Sequence, residues 1–450
     1  MKYKKYPSYK DSGVDWLGEI PSEWFNTKLK YHSFIYNGNS ISDNEKENYE
    51  NLDINNSIPY VSTKDIDSNF LTINYDNGMR VPICNNKFKI AKKSSTLICI
   101  EGGSAGKKLA LLNEKVCFVN KLACIDSYNG LDKRFSNYIV RSSIFNYLFN
   151  LATTGLIPGV SINQLKDFEI ILPSIKEQQQ IANFLDKATA KIDTLIKKQT
   201  KQIELLKEKR QAVISHAVTK GINPNVPMKD SGVEWLGEIP EHWEVSKLKF
   251  YTNVKGRIGF RGYTKDDLVS KEEGALVIGA SEMNNNAKLE IKKPQYISWY
   301  KYYESPEIIL NQGDLLFVQR GSTVGKVAHI DFDIEEATIN PSLVVLKRIK
   351  LNPFYLKYYL LSNLIKAIVK VETSNTAIPM ISQEQIGNYT LSFPKKEDEQ
   401  QQIVNYLDEK TSKIDTLIEK SNKSIELLKE KRTALISACV TGKIDVREKV

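Results

Sequence analysis

The chain has 450 residues, more than one ordinary domain needs and enough for two or three hydrophobic cores. Its formal net charge is +9, from 63 Lys and Arg against 54 Asp and Glu, a mixed surface that suits a nucleic-acid partner without requiring one. The cysteines form no CxxC pair and the histidines are scattered, which predicts neither a zinc site nor a disulfide framework. No apolar run approaches the roughly 18 residues of a membrane helix, and the N-terminus lacks a signal-peptide core. We therefore expect a cytoplasmic protein without a membrane partner.

The chain contains an internal repeat whose ends are better preserved than its contents. Residues 11–24 return at 230–243 with 11 of 14 positions identical, and residues 177–220 return at 399–442 with 30 of 44 identical. The stretches enclosed by these segments agree only at scattered points. Two similar frames with different contents predict two recognition surfaces on one pseudo-symmetric scaffold.

Each enclosed stretch is predicted to be an α+β module. Short apolar runs bounded by turn residues predict strands at 58–62, 96–100, 116–120 and 167–173 in the first copy, and at 275–279, 314–319, 342–346 and 389–394 in the second. A helical stretch interrupts each module, around 135–151 and around 354–371.

A long helix with heptad spacing follows each module. The repeating apolar positions are Ile192, Leu195, Ile203, Leu206 and Val213 in the first helix, and Ile414, Leu417, Ile425, Leu428 and Leu435 in the second. Two matching seams in one chain favour an intramolecular antiparallel coiled coil over two helices that each pack on a separate core. Gly221 and Pro224 are expected to end the first helix and Gly442 the second, which leaves heptad segments about 43 Å long. The predicted order is a first module over 1–173, a helix over 174–220, a linker over 221–229, a second module over 230–394 and a helix over 395–443.

Glycine-rich loops stand at equivalent places in the two modules. GGSAGK at 102–107 and GSTVGK at 321–326 are one residue too short for a P-loop and lack the Ser or Thr that follows its lysine. We expect tight loops between strands, whose small residues let backbone amides approach an anion or a groove. A plain hairpin turn with an exposed lysine is the alternative.

The sequence contains no complete motif of a methyltransferase, a metal-dependent nuclease or an enzyme with a catalytic nucleophile. The tetrapeptide NPFY at 352–355 partly matches the N/D-P-P-Y/F box of adenine methyltransferases but lacks the second proline, so we expect Asn352 and Pro353 to cap a helix instead. We find no acidic pair followed by a lysine for a metal-dependent nuclease, and no nucleophile with an identifiable base.

Basic residues do cluster with aromatic and small residues in loops, as in DNA-binding surfaces. The second module is the richer in these, and the first has Glu101 where the second has Arg320. If both modules bind DNA, they should read different sequences, although a solvated basic loop without a partner remains the alternative. The candidate DNA-binding residues are Lys64, Gly103, Ser104, Lys107 and Lys108 in the first module, and Lys255, Arg257, Arg261, Tyr263, Lys265, Arg320, Ser322, Thr323 and Lys326 in the second.

At this point the chain resembles the specificity subunit of a type I restriction-modification system. The resemblance covers essentially the whole length and rests on the order of its motifs, repeated twice: SGVxWLGEIPxxW, the glycine-rich loop, the IPxxS segments at 157–161 and 378–382, and the EQQQI, IDTLI and IELLKEKR segments of the long helices. It implies two target recognition domains separated by two helices that form an antiparallel coiled coil.

The resemblance also implies a non-catalytic role. Each domain would read half of an asymmetric bipartite sequence in double-stranded DNA, and the coil would set the length of the unread spacer. The helices would dock two methyltransferase subunits, which methylate adenine N6 with S-adenosylmethionine, and restriction subunits would add ATP- and Mg-dependent translocation and cleavage. This chain itself would bind no cofactor. Glu101 departs from the arginine that is common in the family at that position.

Two other functions stay open from the residues alone. One is a coiled-coil adaptor whose two globular ends bind proteins. The other is a methyltransferase or nuclease with a built-in DNA reader, against which the missing catalytic motifs argue.

Overall fold

The computed structural model describes residues 3–14, 17–153, 158–284, 286–374 and 378–449. Trp16 and Ile157, which belong to the repeated motifs, lie outside the described residues. The chain packs as two compact units, of which unit 1 comprises 1–200 with 422–450 and unit 2 comprises 201–421. Each unit therefore holds one module and part of both long helices, whereas the sequence-based boundaries had followed the helix ends.

Unit 1 begins with strands and ends with helices. Its strands are β1 (Tyr9–Asp11), β2 (Glu19–Pro21), β3 (Phe25–Lys28), β4 (Ser33–Asn37), β5 (Ser57–Val61), β6 (Arg80–Pro82), β7 (Ile90–Ala91), β8 (Thr96–Cys99), β9 (Leu109–Leu111), β10 (Val116–Phe118), β11 (Leu122–Ser127) and β12 (Glu169–Leu172). Its helices are α1 (Lys133–Val140), α2 (Ser143–Ala152) and α3 (Ile162–Lys166), and the long α4 (Ile175–Lys220) starts here and continues into unit 2.

Unit 2 repeats this order. Its strands are β13 (Met228–Asp230), β14 (Glu238–Pro240), β15 (Trp243–Lys247), β16 (Asn253–Gly256), β17 (Leu268–Val269), β18 (Gly274–Ile278), β19 (Gln295–Ser298), β20 (Leu315–Val318), β21 (Val327–His329), β22 (Ala337–Ile339), β23 (Leu343–Lys347) and β24 (Thr390–Pro394). Its helices are α5 (Trp299–Tyr303), α6 (Pro353–Leu360), α7 (Asn363–Thr373) and α8 (Gln383–Gly387), followed by the long α9 (Glu397–Val440), which ends in unit 1. The predicted α+β class is confirmed.

Two four-stranded sheets form the body of each module. In unit 1 their orders are β4-β11-β8-β9 and β6-β5-β10-β7, and in unit 2 they are β16-β23-β20-β21 and β17-β19-β18-β22. The first sheet is antiparallel in both units, and the second contains one parallel pair, β5 with β10 and β18 with β22. The second sheets differ at an edge, because β7 borders β10 whereas β17 borders β19.

The central strand of each first sheet is buried on both faces, which explains its unbroken apolar sequence. In β8, Ile98 contributes to the main core of unit 1 whereas Leu97 and Cys99 face a second cluster. In β20, Leu315 and Phe317 belong to one core and Leu316 and Val318 to another. Each sheet thus separates two hydrophobic cores.

The predicted helical stretch of each module is two helices. The first pair is interrupted after α1, where the Ser142 hydroxyl accepts a hydrogen bond from the Phe145 amide and caps α2. Ser362 caps α7 in the same way. The predicted cap at the NPFY segment is confirmed, since the Asn352 side chain accepts from the amides of Phe354 and Tyr355 and Pro353 is the first helical residue.

The repeated EQQQ segment attaches each long helix to its module. The Gln178 side chain accepts from the Asp132 amide, at the cap of α1, and donates to the carbonyl oxygens of Gly130 and Pro173. Gln400 does the same in unit 2, accepting from the Asn352 amide and donating to a carbonyl oxygen. This buried contact explains why the segment is so similar in the two copies.

The long helices have 46 and 44 residues, about 69 and 66 Å at 1.5 Å per residue. They are longer than the heptad segments because their first turns pack on the module, as Ile181 and Leu185 do in the core of unit 1. Within unit 1 that core also contains Ile436 and Cys439, and further along α4 Asp193 pairs with Arg432, so the two helices run antiparallel there. The coiled coil as such stays a prediction.

An arginine joins the helices in each unit, and it is buried in unit 1 and partly buried in unit 2. Arg432 Nη1 lies 2.5 Å from Asp193 Oδ1 in unit 1, and Arg210 Nε lies 2.9 Å from Asp415 Oδ1 in unit 2. The repeat relates these pairs, because Arg210 aligns with Arg432 and Asp193 with Asp415. Both arginines occupy polar positions of the predicted seam.

Two leucines predicted in the seam point elsewhere. Leu195 is 48% exposed and Leu417 is 45% exposed. The next residue along each helix takes the inward position, since Ile196 is buried and Ile418 is partly buried. The seam is therefore displaced by one residue at these two points.

We expect Arg432→Met to lower the free energy of unfolding by about 2 to 3 kcal/mol, because it leaves Asp193 without its partner in a largely buried place. Urea unfolding of the full chain, with Asp193→Asn and the double variant, would give the coupling between the two residues. Lys201→Met is the control, because its pair with Glu204 is exposed and should contribute less than about 1 kcal/mol. Equal losses in Arg432→Met and in the control Lys201→Met, or a coupling near zero in the double variant, would contradict a stabilising role for the buried pair.

A buried histidine predicts a pH dependence of stability in unit 2. His329 is 3% exposed, and neither ring nitrogen has a hydrogen-bond partner among the described residues. Burial, with the nearby Lys357 cation, lowers the pKa of His329 to about 4. In the unfolded chain this histidine takes up a proton as the pH falls below about 6.5, whereas in the folded chain it stays neutral down to about pH 4. The free energy of unfolding therefore has its full value above pH 6.5 and decreases as the pH falls from there toward 4.

When the pH is lowered from 7.5 to 5, this histidine should reduce the free energy of unfolding by about 2 kcal/mol. His329→Leu should remove that part of the pH dependence, and Leu111 occupies the equivalent strand position in unit 1, so a leucine is compatible with the fold. Urea unfolding at both pH values checks this. An unchanged pH slope in the variant would rule out His329 as its source.

Candidate nucleic-acid interface

The second glycine-rich loop connects β20 to β21 and is held in one shape by its backbone. Gly321 and Gly325 have φ of +105° and +86°, which favour glycine. The amide of Gly325 donates to the carbonyl oxygen of Val318 at 2.9 Å, and the amide of Gly321 donates to that of Pro379 at 2.9 Å. The prediction of a tight strand-to-strand loop is confirmed.

The first glycine-rich loop, between β8 and β9, has the same construction. The Gly106 amide donates to the Cys99 carbonyl oxygen at 2.9 Å, and the Gly102 amide donates to that of Pro158 at 2.8 Å. A Cβ atom on Gly106 would lie 2.9 Å from the ring of Phe149 in α2, so this loop is pressed against the helix behind it. Gly325 stands in the same relation to Val369 of α7, at 3.0 Å.

The loop tips are exposed and carry opposite charges at their first position. Gly103, Ser322 and Thr323 are exposed, whereas Ser104 is partly buried. Glu101 and Arg320 are both exposed, and each forms an isolated bridge, to Gly159 and to Met380. The two loops therefore share a backbone shape and present different chemistry.

The lysines of the loops are not equivalent either. Lys107 is exposed and Lys326 is partly buried. Lys108 donates to the Thr63 carbonyl oxygen at 2.7 Å, so its ammonium group is already engaged. Lys108 and Lys64 line one open cavity of 450 Å³ together with Asp65 and Asp67, which makes the charge there mixed instead of purely basic.

The basic segment 254–265 is only partly available to a ligand. The prediction of Arg257 as a DNA contact needs correction, because its side chain is buried and donates to the carbonyl oxygen of Ile339 at 3.3 Å and to the Thr338 hydroxyl at 3.2 Å. Burial lowers the pKa of Arg257. Its guanidinium also lies 5.3 Å from the ring centre of Tyr263, so it shapes the segment from within.

The remaining candidates of this segment differ in exposure. Lys255 and Lys265 are exposed, and Tyr263 is partly buried. Arg261 is partly buried, with Nη1 3.6 Å from Glu307 Oε1. The exposed cations of the segment are thus two lysines, which suit phosphate contacts better than base-edge contacts.

Sequence reasoning missed an aromatic helix beside this segment. In α5, Tyr300 is 76% exposed and Tyr303 is 65% exposed, with Trp299 stacked on Tyr303. Trp299 and Tyr263 pack against the same small core, which places the helix next to segment 254–265. The signal was in the run SWYKYY at 298–303, because exposed aromatic residues interleaved with lysine are typical of surfaces that stack on bases.

Neither a metal-binding cluster nor a membrane-spanning helix is found in the described ranges. No group of three or more His, Cys, Asp or Glu side chains there is arranged to hold a metal ion. Among the same residues, no helix combines the length and apolar character required to cross a membrane.

Comparison with known proteins identifies the family. A family model described as "Type I restriction modification DNA specificity domain" matches residues 21–205 and again residues 240–427. The type I restriction enzyme MjaVIII specificity subunit of Methanocaldococcus jannaschii is 25% identical over 368 residues, covering 80% of this chain and 82% of the relative. The MjaIX specificity subunit of the same organism is 23% identical over 475 residues, covering 100% of this chain and 99% of the relative.

A solved structure described as "Structural basis underlying complex assembly and conformational transition of the type I R-M system" shares the fold. It superposes with a TM-score of 0.68 at 16% identity, covering 94% of this chain and 99% of the other. The family model matches one segment for each copy of the repeat and together these segments span most of the chain. The chain therefore belongs to the family of type I restriction-modification specificity subunits.

Proposed function

We propose that this chain directs a type I restriction-modification complex to an asymmetric bipartite sequence in double-stranded DNA, with one half-site read by each module. The observation that carries this proposal is the pair of equivalent glycine-rich loops. Both are fixed to a helix behind them, and they differ where a base or phosphate would be contacted, with Glu101 in one and Arg320 in the other. A carboxylate accepts from cytosine N4, whereas an arginine donates to guanine, so the two loops should prefer different bases.

The proposed contacts follow the exposure of each side chain. In unit 2 they are Arg320, Ser322, Thr323 and Lys326 on the loop, with Lys255, Lys265 and the exposed tyrosines of α5 beside it. In unit 1 they are Glu101, Gly103, Ser104 and Lys107. Arg257 and Lys108 act instead by holding their loops, because both donate hydrogen bonds to backbone carbonyl oxygens.

Specificity subunits of this family are non-catalytic, so we assign the chemistry to partner subunits. Two methyltransferase subunits would transfer a methyl group from S-adenosylmethionine to adenine N6, and restriction subunits would use ATP and Mg for translocation and cleavage. This protein would work in the cytoplasm and bind none of these cofactors. The likeness to a structure described by complex assembly supports the partners.

The long helices would set the spacer between half-sites. Their inter-helix ion pairs fix the register of α4 on α9 within each unit. Two half-sites read from one face of the duplex are separated by about one helical turn, 34 to 36 Å, or a multiple of it. The lengths of α4 and α9, about 69 and 66 Å, are of the order that such a spacing would need.

Mapping N6-methyladenine across the genome in cells with and without this gene tests the proposal directly. We expect loss of a single asymmetric bipartite motif when the gene is deleted, because the partner subunits would lack their DNA reader. An unchanged map in a strain that expresses the partner subunits would contradict the proposal. The motif would also supply both half-sites and the spacer for the experiment that follows.

Replacing Arg320 and Lys326 by Gln should weaken discrimination at one half-site by about 1 to 3 kcal/mol per lost base contact and leave the other unchanged. Competition binding with duplexes in which either half-site is scrambled measures this at fixed salt. Lys350→Gln is the charge control, since Lys350 is an exposed cation of the same unit outside the loop. Equal loss at both half-sites would assign the two residues a structural role instead.

A further inference from the structure

A cavity of 200 Å³ in unit 1 lies away from the glycine-rich loop and has no role in the proposed reading of DNA. Its walls come from loop residues 71–73, the end of β9, α1 and α4. The polar side chains that line it include Arg134, Arg141, Asp186, Asn113 and Thr72. At about 30 Å³ per water, it has room for several waters or for one phosphate-sized ion.

Arg141 is the uncompensated charge of this cavity. Its Nε atom is buried without a hydrogen-bond partner, and within the part of the chain that the structure describes no carboxylate forms an ion pair with its guanidinium. Burial lowers the pKa of Arg141, and the negative charges of Asp193 and Asp186 oppose that shift without forming an ion pair with the guanidinium. Arg141 is partly buried, and a cation that is partly removed from water gains from an anionic partner.

The neighbouring charges do not supply that partner, because they are already paired. Asp186 Oδ2 lies 2.7 Å from Arg134 Nη1, and its other oxygen accepts from the Tyr138 hydroxyl at 2.6 Å. Asp193 is paired with Arg432. The count around the cavity is thus three arginines against two carboxylates, an excess of one positive charge.

The aromatic ring of Tyr138 fixes where the guanidinium points. The Arg141 guanidinium carbon lies 5.2 Å from the centre of that ring, in cation–π contact. Tyr138 is held in turn by its hydroxyl, which contacts both Asp186 and Thr189. Arg141 lines the cavity, and this contact restricts the guanidinium before an anion binds, which favours recognition of a planar oxyanion.

The loop that closes the cavity is attached to both long helices. The Asn69 carbonyl oxygen accepts from Arg432 Nη2 at 3.0 Å, its side-chain oxygen accepts from Lys429 at 2.6 Å, and Lys197 lies over the ring of Phe70. Leu71 follows with φ of +55°, a backbone conformation that residues other than glycine seldom adopt. An anion in the cavity would therefore contact a loop that already connects to α4 and α9.

Unit 2 lacks this site, although it repeats the framework. The Tyr138–Asp186 hydrogen bond recurs as Tyr358 with Asp408. The position of Arg141 is occupied by Leu361, and that of Arg134 by Phe354. Asn137, which also lines the cavity, is replaced by Lys357, so the two copies differ at three positions around the site.

We propose that Arg141 is the centre of a binding site for one phosphate-like oxyanion in unit 1. The same chemistry could be met by free inorganic phosphate or by a phosphodiester of bound DNA, and the two sources are separable by experiment. Occupation of the site stabilises unit 1, because the anion links α1, α4 and the loop 71–73. The inference does not depend on the proposed function, since the free ion can be tested without DNA.

The test measures the binding of sodium phosphate to the full chain in two ways. Titration calorimetry gives the affinity and stoichiometry, and the melting temperature at constant ionic strength gives the stabilisation. We expect one phosphate per chain and a rise in melting temperature that chloride at equal ionic strength does not give. Arg141→Leu should weaken phosphate binding about tenfold or more, because it removes the charged hydrogen bonds to the ion. Without phosphate this variant should be at least as stable as the natural chain, since it removes a partly buried charge that has no ion pair among the described residues.

Two further variants complete the test. Lys115→Leu removes an exposed cation of the same unit and should bind phosphate as the natural chain does. Arg141→Lys keeps the charge and should bind with intermediate affinity, which also covers the case in which the leucine variant fails to fold. A natural chain that ignores free phosphate but loses DNA affinity on Arg141→Leu, and not on Lys115→Leu, would identify the phosphodiester as the source. Absence of both effects would overturn the proposal.

Discussion

An ion pair between an arginine of one long helix and an aspartate of the other, buried in unit 1 and partly buried in unit 2, is the interaction on which each unit depends. Unit 1 is assembled from two segments that are far apart along the chain, and unit 2 brings the two ends of one continuous segment together. The pairs Arg432–Asp193 and Arg210–Asp415 join the long helices within these units. Apolar seam residues alone would tolerate a shift of α9 along α4, because leucines and isoleucines pack acceptably against many neighbours. A partly desolvated ion pair does not tolerate such a shift, because the shift would leave both charges without partners. Register, and with it the placement of each module on the helices, is the property these pairs specify.

The glutamine that begins each helix transmits this register to the module. Gln178 and Gln400 bond to the backbone at the cap of the neighbouring helix, and that helix pair supports the back of the glycine-rich loop through Phe149 or Val369. The long helices thus position the glycine-rich loop through two successive contacts, the glutamine at the helix cap and the side chain of Phe149 or Val369 behind the loop. A reading surface that must discriminate bases benefits from this construction, because a loop held in advance loses little conformational entropy when it binds.

The repeat lets the two copies serve as controls for each other. Where the copies agree, as in the arginine–aspartate pairs, the residue supports the shared framework. Where they differ at an equivalent position, the difference marks a property of one unit: Glu101 against Arg320 at the loop, Leu111 against His329 in the strand, and Arg141 against Leu361 beside the cavity. The last of these turns an apolar position into a cationic one without disturbing the tyrosine–aspartate contact next to it.

The sequence by itself determined the repeat, the α+β class, the two long helices and the capping role of Asn352, because each depends on local patterns of apolar, turn-forming and capping residues. It also determined where the glycine-rich loops lie, because closely spaced glycines between two predicted strands indicate a tight loop. Only the tertiary structure decided that Arg257 is buried, that Ile196 replaces Leu195 in the seam, and that Arg141 lacks a partner. These depend on which distant segments meet, because a basic residue has the same local sequence pattern whether its charge faces solvent, a carbonyl oxygen or a cavity.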